Sequence, residues 1–148
     1  MEIRTAAIKD FFQLYEIGQN TPELRVSAKE QFMDQDEFIL AIENPNGIFL
    51  VAEEENTLVG FIYVNAKDKD KPIENRYACL VYLVVVEKFR RHGIAQRFYD
   101  ECEKRLKNMG ITHVRTRANV EGNGEIVEFM KKQGFAEGHQ YVRMDKTI

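Results

Sequence analysis

The stretch that decides the fold is residues 83–95, which read LVVVEKFRRHGIA. Its first part closes the longest apolar run of the chain, residues 78–86, and a run without polar alternation predicts a central strand buried on both faces. Its last residues open a helix, because apolar residues recur at three- and four-residue spacing from Ile94 to Met109, before Gly110. The stretch therefore predicts a strand, a short turn and a helix in succession.

The turn between this strand and this helix is unusually basic. A helix N-terminus has free backbone N–H groups and a partial positive charge, so acidic residues are favoured there. This helix start carries Arg90, Arg91, His92 and Arg97 instead. A bound phosphate would neutralise these cations and accept hydrogen bonds from the N–H groups, and Gly93 would let the backbone approach it closely. An arginine pair before a helix can equally be a solvated turn, so the residues alone leave both interpretations open.

Outward from this turn, the pattern predicts a mixed α and β domain over residues 1–148. Ser27 and Glu30 have the spacing of a capping box and predict that a helix starts at Ser27. The central strand, its helix and the next strand form one βαβ-like crossover. Further strands are predicted at 2–5, 48–52, 58–64, 112–117 and 141–144, and further helices at 9–17, 27–42 and 125–133.

The composition narrows the function classes. Of the 148 residues, 44% are hydrophobic, which is enough for a full core. The net charge of -3 argues against nucleic acid as the main partner. The longest apolar run is too short to cross a membrane, and the first residues lack the pattern of a secretion signal. Cys79 and Cys102 lie in apolar stretches and predict free thiols in a reducing, cytoplasmic setting. The histidines lack metal-ligand spacing, so no metal site is expected.

Residues 90–95, RRHGIA, resemble the Gln/Arg-x-x-Gly-x-Gly/Ala signature of the GCN5-related N-acetyltransferases, the GNAT family. Asn123 and the pair Gly134-Phe135 resemble the Asn…Gly-Phe ending of that family, so the similarity covers residues 78–135 well. The resemblance implies an α/β (α+β mixed) fold with a central, mostly antiparallel sheet of six to seven strands. Strands four and five would splay apart, and about four helices would flank the sheet. The resemblance further implies acetyl-CoA as co-substrate, an amine of a small molecule or protein as acceptor, and a homodimer in many members.

The same resemblance assigns cofactor-binding roles to residues of this chain. Backbone groups of Leu83, Val84 and Val85 would pair with the pantetheine arm like an added strand, and the N–H of Val84 or Val85 would face the thioester oxygen. Asn123 would contact the pantetheine or its thiol end, and Asn119 is a second candidate for that role. The diphosphate would lie in the basic turn, which the resemblance assigns to Arg90, Arg91, His92, Gly93, Ile94, Ala95 and Gln96.

Both familiar catalytic groups of the family are missing from their usual places. Met130 stands where members often have a proton-donating tyrosine, and Cys79 stands where many have a glutamate base. A covalent route through Cys79 or Cys102 is an alternative, although buried thiols are usually inert. The catalytic residues therefore stay unassigned, and a non-catalytic acyl-CoA-binding or regulatory module remains the second hypothesis. Four tyrosines could substitute from other directions, and each could equally be a core or rim aromatic: Tyr63, Tyr77, Tyr82 and Tyr141.

Overall fold

The computed structural model describes residues 1–25, 27, 32–67, 76–121 and 123–148. Within these ranges the chain forms five strands and four α-helices, joined by three short 3-10 segments. The strands are β1 (Glu2–Thr5), β2 (Gly47–Glu54), β3 (Thr57–Asn65), β4 (Tyr77–Val85) and β5 (His113–Thr116). The helices are α1 (Phe11–Gln19), α2 (Gln35–Glu43), α3 (Ile94–Asn108) and α4 (Glu125–Lys132), and the 3-10 segments are Ile8–Asp10, Pro22–Leu24 and Glu87–Phe89.

The strands form a single sheet in the order β1-β2-β3-β4-β5. The first three pairings are antiparallel and the pairing of β4 with β5 is parallel. The mostly antiparallel sheet with four flanking helices is thus confirmed. The expected count of six to seven strands is wrong, because the described residues form five. Residues 141–144, which have the pattern of a strand, form none and lie in solvent.

The sheet separates two hydrophobic layers. Alternate residues of β2 enter different clusters: Leu50 packs with Phe98 of α3 and Met130 of α4, whereas Val51 packs with Leu14 of α1 and Phe38 of α2. Because successive side chains of a strand point to opposite faces, α1 and α2 cover one face and α3 and α4 cover the other. The central strands are therefore held from both sides, as their apolar sequence predicts.

Helix α2 begins later than the sequence predicts. Asp34 is its N-cap, and the Asp34 carboxylate accepts a hydrogen bond from the N–H of Asp36 at 2.9 Å. Phe32 and Met33 lie outside the helix because tertiary contacts hold them there. The ring of Phe32 packs on Phe38, and the Tyr15 hydroxyl donates to the Met33 carbonyl oxygen at 3.1 Å. The prediction of one unbroken helix over residues 27–42 is therefore wrong, and its first turn, including Glu30, lies outside the described residues.

Strands β4 and β5 diverge, as the splayed pair of the expected fold requires. They pair only where Tyr77–Leu80 lies beside His113–Thr116. Strand β4 has nine residues, so its last five, residues 81–85, continue beyond the end of β5. A register shift opposite Tyr63 and Val64 leaves Val81 of β4 without a partner in β3, directly after the last residue that pairs with β5. We call the space beside residues 81–85 the β4–β5 slot.

Gly60 allows β3 to approach this part of β4, and an added methyl group should disturb it. A Cβ at Gly60 would lie 2.5 Å from the carbonyl oxygen of Val84, which is main chain in a central strand and cannot turn aside. We expect Gly60→Ala to lower the free energy of unfolding by about 1–3 kcal/mol in urea titrations, the usual cost of overpacking. Gly138→Ala is the matched control, since no described heavy atom lies within 4 Å of its Cβ. Equal stability of the two variants would contradict the close approach.

Candidate active site

The open edge of β4 presents backbone hydrogen-bonding groups to the β4–β5 slot. The N–H of Val86 donates to the carbonyl oxygen of Val59 in β3 at 2.9 Å. Because backbone groups of successive strand residues point to opposite edges, Val84 also faces β3, while Leu83 and Val85 face the slot. Of the two residues proposed to meet a thioester oxygen, Val85 therefore has its N–H on the open side.

A sharp reversal follows β4 and leads directly into α3. The N–H of Phe89 donates to Val86 and that of Arg90 to Glu87, which closes the 3-10 segment. Arg91 then has a φ of 65° and Gly93 a φ of 78°, both in the left-handed region. Such a backbone is costly for a residue with a side chain, so Arg91 is a strained position. The reversal therefore brings the N-terminus of α3 close to the end of β4.

The N-terminus of α3 lacks a side-chain cap among the described residues. Gly93 is the N-cap, and the first turn contains no acidic residue. The first intrahelical bond joins the N–H of Arg97 to the carbonyl oxygen of Gly93 at 3.1 Å. The N–H groups of Ile94, Ala95 and Gln96 therefore have no acceptor inside the helix. Ile94 is 3% exposed as a whole residue, and its side chain packs in the core beneath α3 and α4.

The two arginines of the turn have different surroundings. The Nε of Arg90 donates to the carbonyl oxygen of Val85 at 2.9 Å, and its Nη1 lies 3.2 Å from a Glu23 carboxylate oxygen. The Arg90 side chain thus fixes the turn to the end of β4. The side chain of Arg91 is 88% exposed and pairs with Glu125 at 3.2 Å. An exposed pair of this kind contributes about 0–1 kcal/mol, so Arg91 can exchange its carboxylate for another anion.

His92 and Gln96 complete the turn in different ways. The Nδ1 of His92 lies 3.2 Å from the carbonyl oxygen of Phe89, and its ring is exposed. The side-chain amide of Gln96 donates to Asp100 at 2.8 Å and to Gln133 at 2.9 Å. The side chain of Gln96 is therefore engaged with α3 and α4, and only its backbone N–H is available to a bound anion.

Asn119 lies where the chain leaves β5, and it reaches the same neighbourhood from the opposite wall of the slot. Its Nδ2 is 3.4 Å from the carbonyl oxygen of Glu23, the residue whose carboxylate meets Arg90. Its Oδ1 accepts the N–H of Glu121 at 2.8 Å. Asn123 is exposed in the turn before α4. The structure thus brings Asn119 near the mouth of the slot and leaves Asn123 beside the start of α4.

Glu23 and Glu125 are site residues that the sequence does not reveal. Each pairs with an arginine of the turn, across 67 and 34 residues respectively. Glu125 could have been suspected, because it lies in the first turn of a predicted helix next to Asn123. Glu23 carries no local signal, since it follows Thr21-Pro22 in a segment without periodicity.

The candidate catalytic side chains do not converge on one point. Met130 is 3% exposed in the core beneath α3 and α4, and its thioether has no proton to donate. Tyr141 lies in the segment that follows α4 and is 87% exposed. The ring of Tyr77 stacks on His113 at 4.6 Å. Met130 and Tyr77, which lies at the opposite end of β4, therefore offer no proton donor or acceptor beside residues 83–85.

Tyr63 and Tyr82 lie closer to the slot, paired across β3 and β4. Burial raises the pKa of Tyr82 well above its usual range, with a smaller contribution from the Glu37 carboxylate. Burial also raises the pKa of Tyr63, opposed by a hydrogen bond from the Asn44 amide at 2.9 Å. Both phenols stay protonated at neutral pH and cannot serve as a tyrosinate base, and the same shift makes each a weaker proton donor than an exposed tyrosine.

A cavity of about 540 Å³ borders the turn on the side of α1. Its lining includes the carboxylates of Glu16, Glu23 and Glu87, with Arg90 as the one cation among its described side chains. This negative surface disfavours phosphate groups. The turn residues that suit a diphosphate lie on the other side, at the start of α3.

None of the helices in the described part of the chain combines the length and apolar character needed to cross a bilayer.

Comparison with known structures finds the same fold. An aminoglycoside acetyltransferase from an uncultured soil metagenomic sample, in complex with sisomicin, is 18% identical, with 99% of this chain and 95% of that chain covered and a TM-score of 0.73. Ard1 from Thermoplasma volcanium is 24% identical over 93% and 84% of the two chains, with a TM-score of 0.74. Aminoglycoside N-acetyltransferase AAC(6')-Iy in complex with CoA is 15% identical over 99% and 100%, with a TM-score of 0.73.

Comparison at the level of sequence gives the family. No curated protein sequence matches the chain. A family model described as Acetyltransferase (GNAT) family matches residues 8–135, which include the splayed strands, the basic turn and both following helices. The chain therefore belongs to the GNAT acetyltransferase family.

Proposed function

We propose that the chain, acting as one domain over residues 1–148, transfers the acetyl group of acetyl-CoA directly to a primary amine of a small molecule or protein. One observation carries the proposal: an open strand edge at Leu83 and Val85 adjoins an uncapped, cation-rich helix N-terminus. Membership of the family supports acyl transfer. The similarity to aminoglycoside acetyltransferases, one of them in complex with CoA, supports the choice of an amine and of this coenzyme.

The residues around the slot fit the two ends of the coenzyme. Amide groups of a pantetheine arm can pair with the backbone of Leu83 and Val85 as an added strand, a recognised mode of binding at sheet edges. Val84 contributes by position, because its backbone holds β4 against β3. Asn119, at the mouth of the slot, and Asn123, beside the start of α4, are proposed to contact the arm near its thiol end.

The diphosphate fits the start of α3. The N–H groups of Gly93, Ile94, Ala95 and Gln96 converge with the positive end of the helix dipole. Arg91 and His92 add mobile cations, while Arg90 keeps the turn in place. No described heavy atom lies within 4 Å of the position a Gly93 Cβ would take, so this side of the turn is open to a ligand.

Acetyl-CoA, when bound, supplies an activated acyl group as a thioester. The protein contributes a fixed donor for the developing oxyanion, and the N–H of Val85 is suited to that role. An alkylamine with pKa near 10.4 costs roughly 4–5 kcal/mol to deprotonate at pH 7. Positioning the amine beside the thioester can offset much of this barrier. We assign neither a general base nor the group that returns a proton to the leaving thiolate.

The second candidate function is a non-catalytic acyl-CoA-binding or regulatory module. The specific observation in its favour is Met130. This side chain is buried in the core, with 3% exposure, so α4 has no proton donor at that position. Cys79, half-buried in β4, is no substitute for a carboxylate base. Turnover of acetyl-CoA distinguishes the enzyme from the non-catalytic module, because coenzyme binding is expected for both.

Transfer should be detectable as thiol release from acetyl-CoA in the presence of the correct amine. A screen with polyamines, aminoglycosides, amino acids and peptide N-termini should find a class that releases thiol above the rate of hydrolysis. Mass spectrometry should show the acetylated product. Tight binding of acetyl-CoA with no release across the whole panel would favour the non-catalytic module instead.

Gly93 and Gly110 form a matched pair for testing the diphosphate site. They lie at opposite ends of α3, each with a φ of 78° and with no described heavy atom within 4 Å of its Cβ position. Gly93→Leu and Gly110→Leu should therefore lose similar stability, roughly 1–2 kcal/mol, from the strained left-handed backbone. Only Gly93→Leu should block the ligand side of the turn. We expect calorimetry to show at least a tenfold loss of CoA affinity for Gly93→Leu and an unchanged affinity for Gly110→Leu.

An unchanged CoA affinity in both leucine variants would show that the diphosphate does not bind at this turn. Thermal unfolding of both variants provides the control for folding. A loss of affinity in both would indicate a general effect of destabilising α3.

The acetyl-cysteine route is tested at Cys102, which is 1% exposed. Burial raises the pKa of this thiol to about 12, so the thiolate that attacks a thioester is scarce at neutral pH. We expect iodoacetamide at pH 8 to leave Cys102 unmodified in the folded protein and to modify it in urea, as measured by peptide mass spectrometry. Cys102→Ala should keep its thiol-release activity within about threefold. Rapid labelling of folded protein, or loss of all activity, would restore the covalent route.

A further inference from the structure

Strand β5 carries cationic side chains on the face of the sheet that α3 and α4 do not cover. Val114 packs against the core beneath those two helices. Because successive side chains of a strand point to opposite faces, His113 and Arg115 lie on the other face, the side of α1 and α2. The ring of Tyr77 in β4 stacks on His113 at 4.6 Å, so both rings share this face. Arg117 follows directly after the end of β5.

The two arginines lead toward the β4–β5 slot. In the parallel register Arg115 lies beside Cys79 of β4, so Arg117 comes level with Val81, where the slot begins. With a rise of about 3.3 Å per residue, residues 83–85 lie roughly 7–13 Å beyond the level of Arg117 and roughly 13–20 Å beyond that of Arg115. A long arginine side chain spans part of that distance. Both guanidinium groups can therefore reach the far end of a small molecule whose near end lies at the open edge of β4.

An amine would approach the slot from this face of the sheet. The diphosphate is proposed to bind at the start of α3, and α3 packs on the opposite face. On the arginine face, the described residues of β4 that belong to the core beneath α1 and α2 are Tyr82 and Val84. Cys79 and Arg115 are only half-buried, and Val81 is 38% exposed. This face thus leaves an approach to the slot beside β5.

The charges on this face suit a molecule with one positive and one negative end. Arginine binds a carboxylate with two parallel, charge-assisted hydrogen bonds. Arg115 and Arg117 both interact with other groups of the chain, but a guanidinium has five N–H donors and can bind a further acceptor. At the other end, burial raises the pKa of Tyr82 and the nearby carboxylate of Glu37 raises it further. Glu37 can therefore attract the ammonium form of an approaching amine.

We propose that the acetyl acceptor is an amine that carries a carboxylate at its far end, and that Arg115 and Arg117 bind this carboxylate. The inference rests on the proposed function and names the class of its substrate. The two arginines are then specificity-determining residues, which favour an anionic acceptor and repel a polycation such as spermidine. The reaction keeps its balance: the N–C bond forms, the C–S bond breaks, and the proton lost by the nitrogen converts the leaving thiolate to a thiol.

The test measures thiol release from acetyl-CoA with linear amino acids of increasing length: ω-aminobutanoate, ω-aminohexanoate and ω-aminooctanoate. Each acid is compared with its own amide, which keeps the amine and lacks only the carboxylate charge. We expect kcat/KM to be about tenfold higher, or more, for the best acid than for its amide, because only the acid makes the charge-assisted hydrogen bonds. Spermidine should be a poorer acceptor than any of the acids.

Two variants locate the carboxylate. Arg117→Gln should reduce the ratio of acid to amide to about threefold or less, through a raised KM for the acid rather than a lowered kcat. Arg115→Gln should have this effect mainly on the longest acid, because Arg115 lies farther from residues 83–85. Arg117→Lys keeps the charge and should retain part of the preference. Thermal unfolding checks that each variant is folded.

Lys107→Gln is the matched control for these variants. It also removes one positive charge, from a side chain of α3 that is 70% exposed and pairs with Glu103. Because Lys107 lies near the C-terminal end of α3, away from the slot, this variant should keep the full preference for the acid.

A second arm of the experiment identifies the source of the carboxylate. It compares the peptides Ala-Ala-Glu and Ala-Ala-Gln, both amidated at the C-terminus, so that the glutamate side chain supplies the only carboxylate. A preference for the acid in either arm supports the inference. The arm with the higher kcat/KM shows whether the acceptor is a free amino acid or the N-terminus of an acidic peptide.

The outcomes separate this inference from the proposed function. Thiol release at equal kcat/KM for acids and amides in both arms, or spermidine as the best acceptor, would overturn the inference and leave acetyl transfer intact. A preference for the acid that survives in both glutamine variants would overturn it too, since the carboxylate would then bind elsewhere. No release with any amine would overturn the proposed transfer, and the inference with it.

Discussion

Backbone hydrogen bonding along β4 is the constraint on which the site depends. Main-chain N–H and C=O groups in a folded protein require partners, and β5 supplies them to β4 only as far as Leu80. Beyond that point β5 has ended at Thr116, and the carbonyl oxygen of Val85 accepts from Arg90, while the backbone groups of Leu83 and the N–H of Val85 face an open slot. A sheet that leaves such groups accessible is ready to accept an extended ligand. The basic turn, α3 and Asn119 are all arranged around this slot.

The open edge is kept in place by packing on both faces of the sheet. Val84 enters the core beneath α1 and α2, and Val85 enters the core beneath α3 and α4. Arg90 contacts both the carbonyl oxygen of Val85 and the carboxylate of Glu23, so it links the strand, the turn and the Pro22–Leu24 segment. Charge is divided across the turn: carboxylates line the cavity on the side of α1, while Arg91 and the N–H groups of α3 face the other side.

The sequence predicts an element correctly where its local pattern agrees with the tertiary contacts that the element makes. Helix α3 starts at Ile94, as its periodicity predicts, and β4 is central and apolar. Contacts between distant residues are the part that no local pattern encodes. Tyr15 and Phe38 hold the segment before α2 out of the helix that a capping box at Ser27 predicts. The carboxylates that meet the arginines come from remote segments, and the choice of Val85 over Val84 follows only from the pairing register of β3 and β4.

A crystal structure of the chain with CoA tests the central claim most directly. The account predicts that diphosphate oxygens accept hydrogen bonds from the backbone N–H groups of residues 93–96, with Arg91 released from Glu125. It also predicts that the pantetheine arm pairs with the backbone of Leu83 and Val85. A coenzyme bound in the carboxylate-lined cavity instead, or an arm that leaves the edge of β4 untouched, would contradict it.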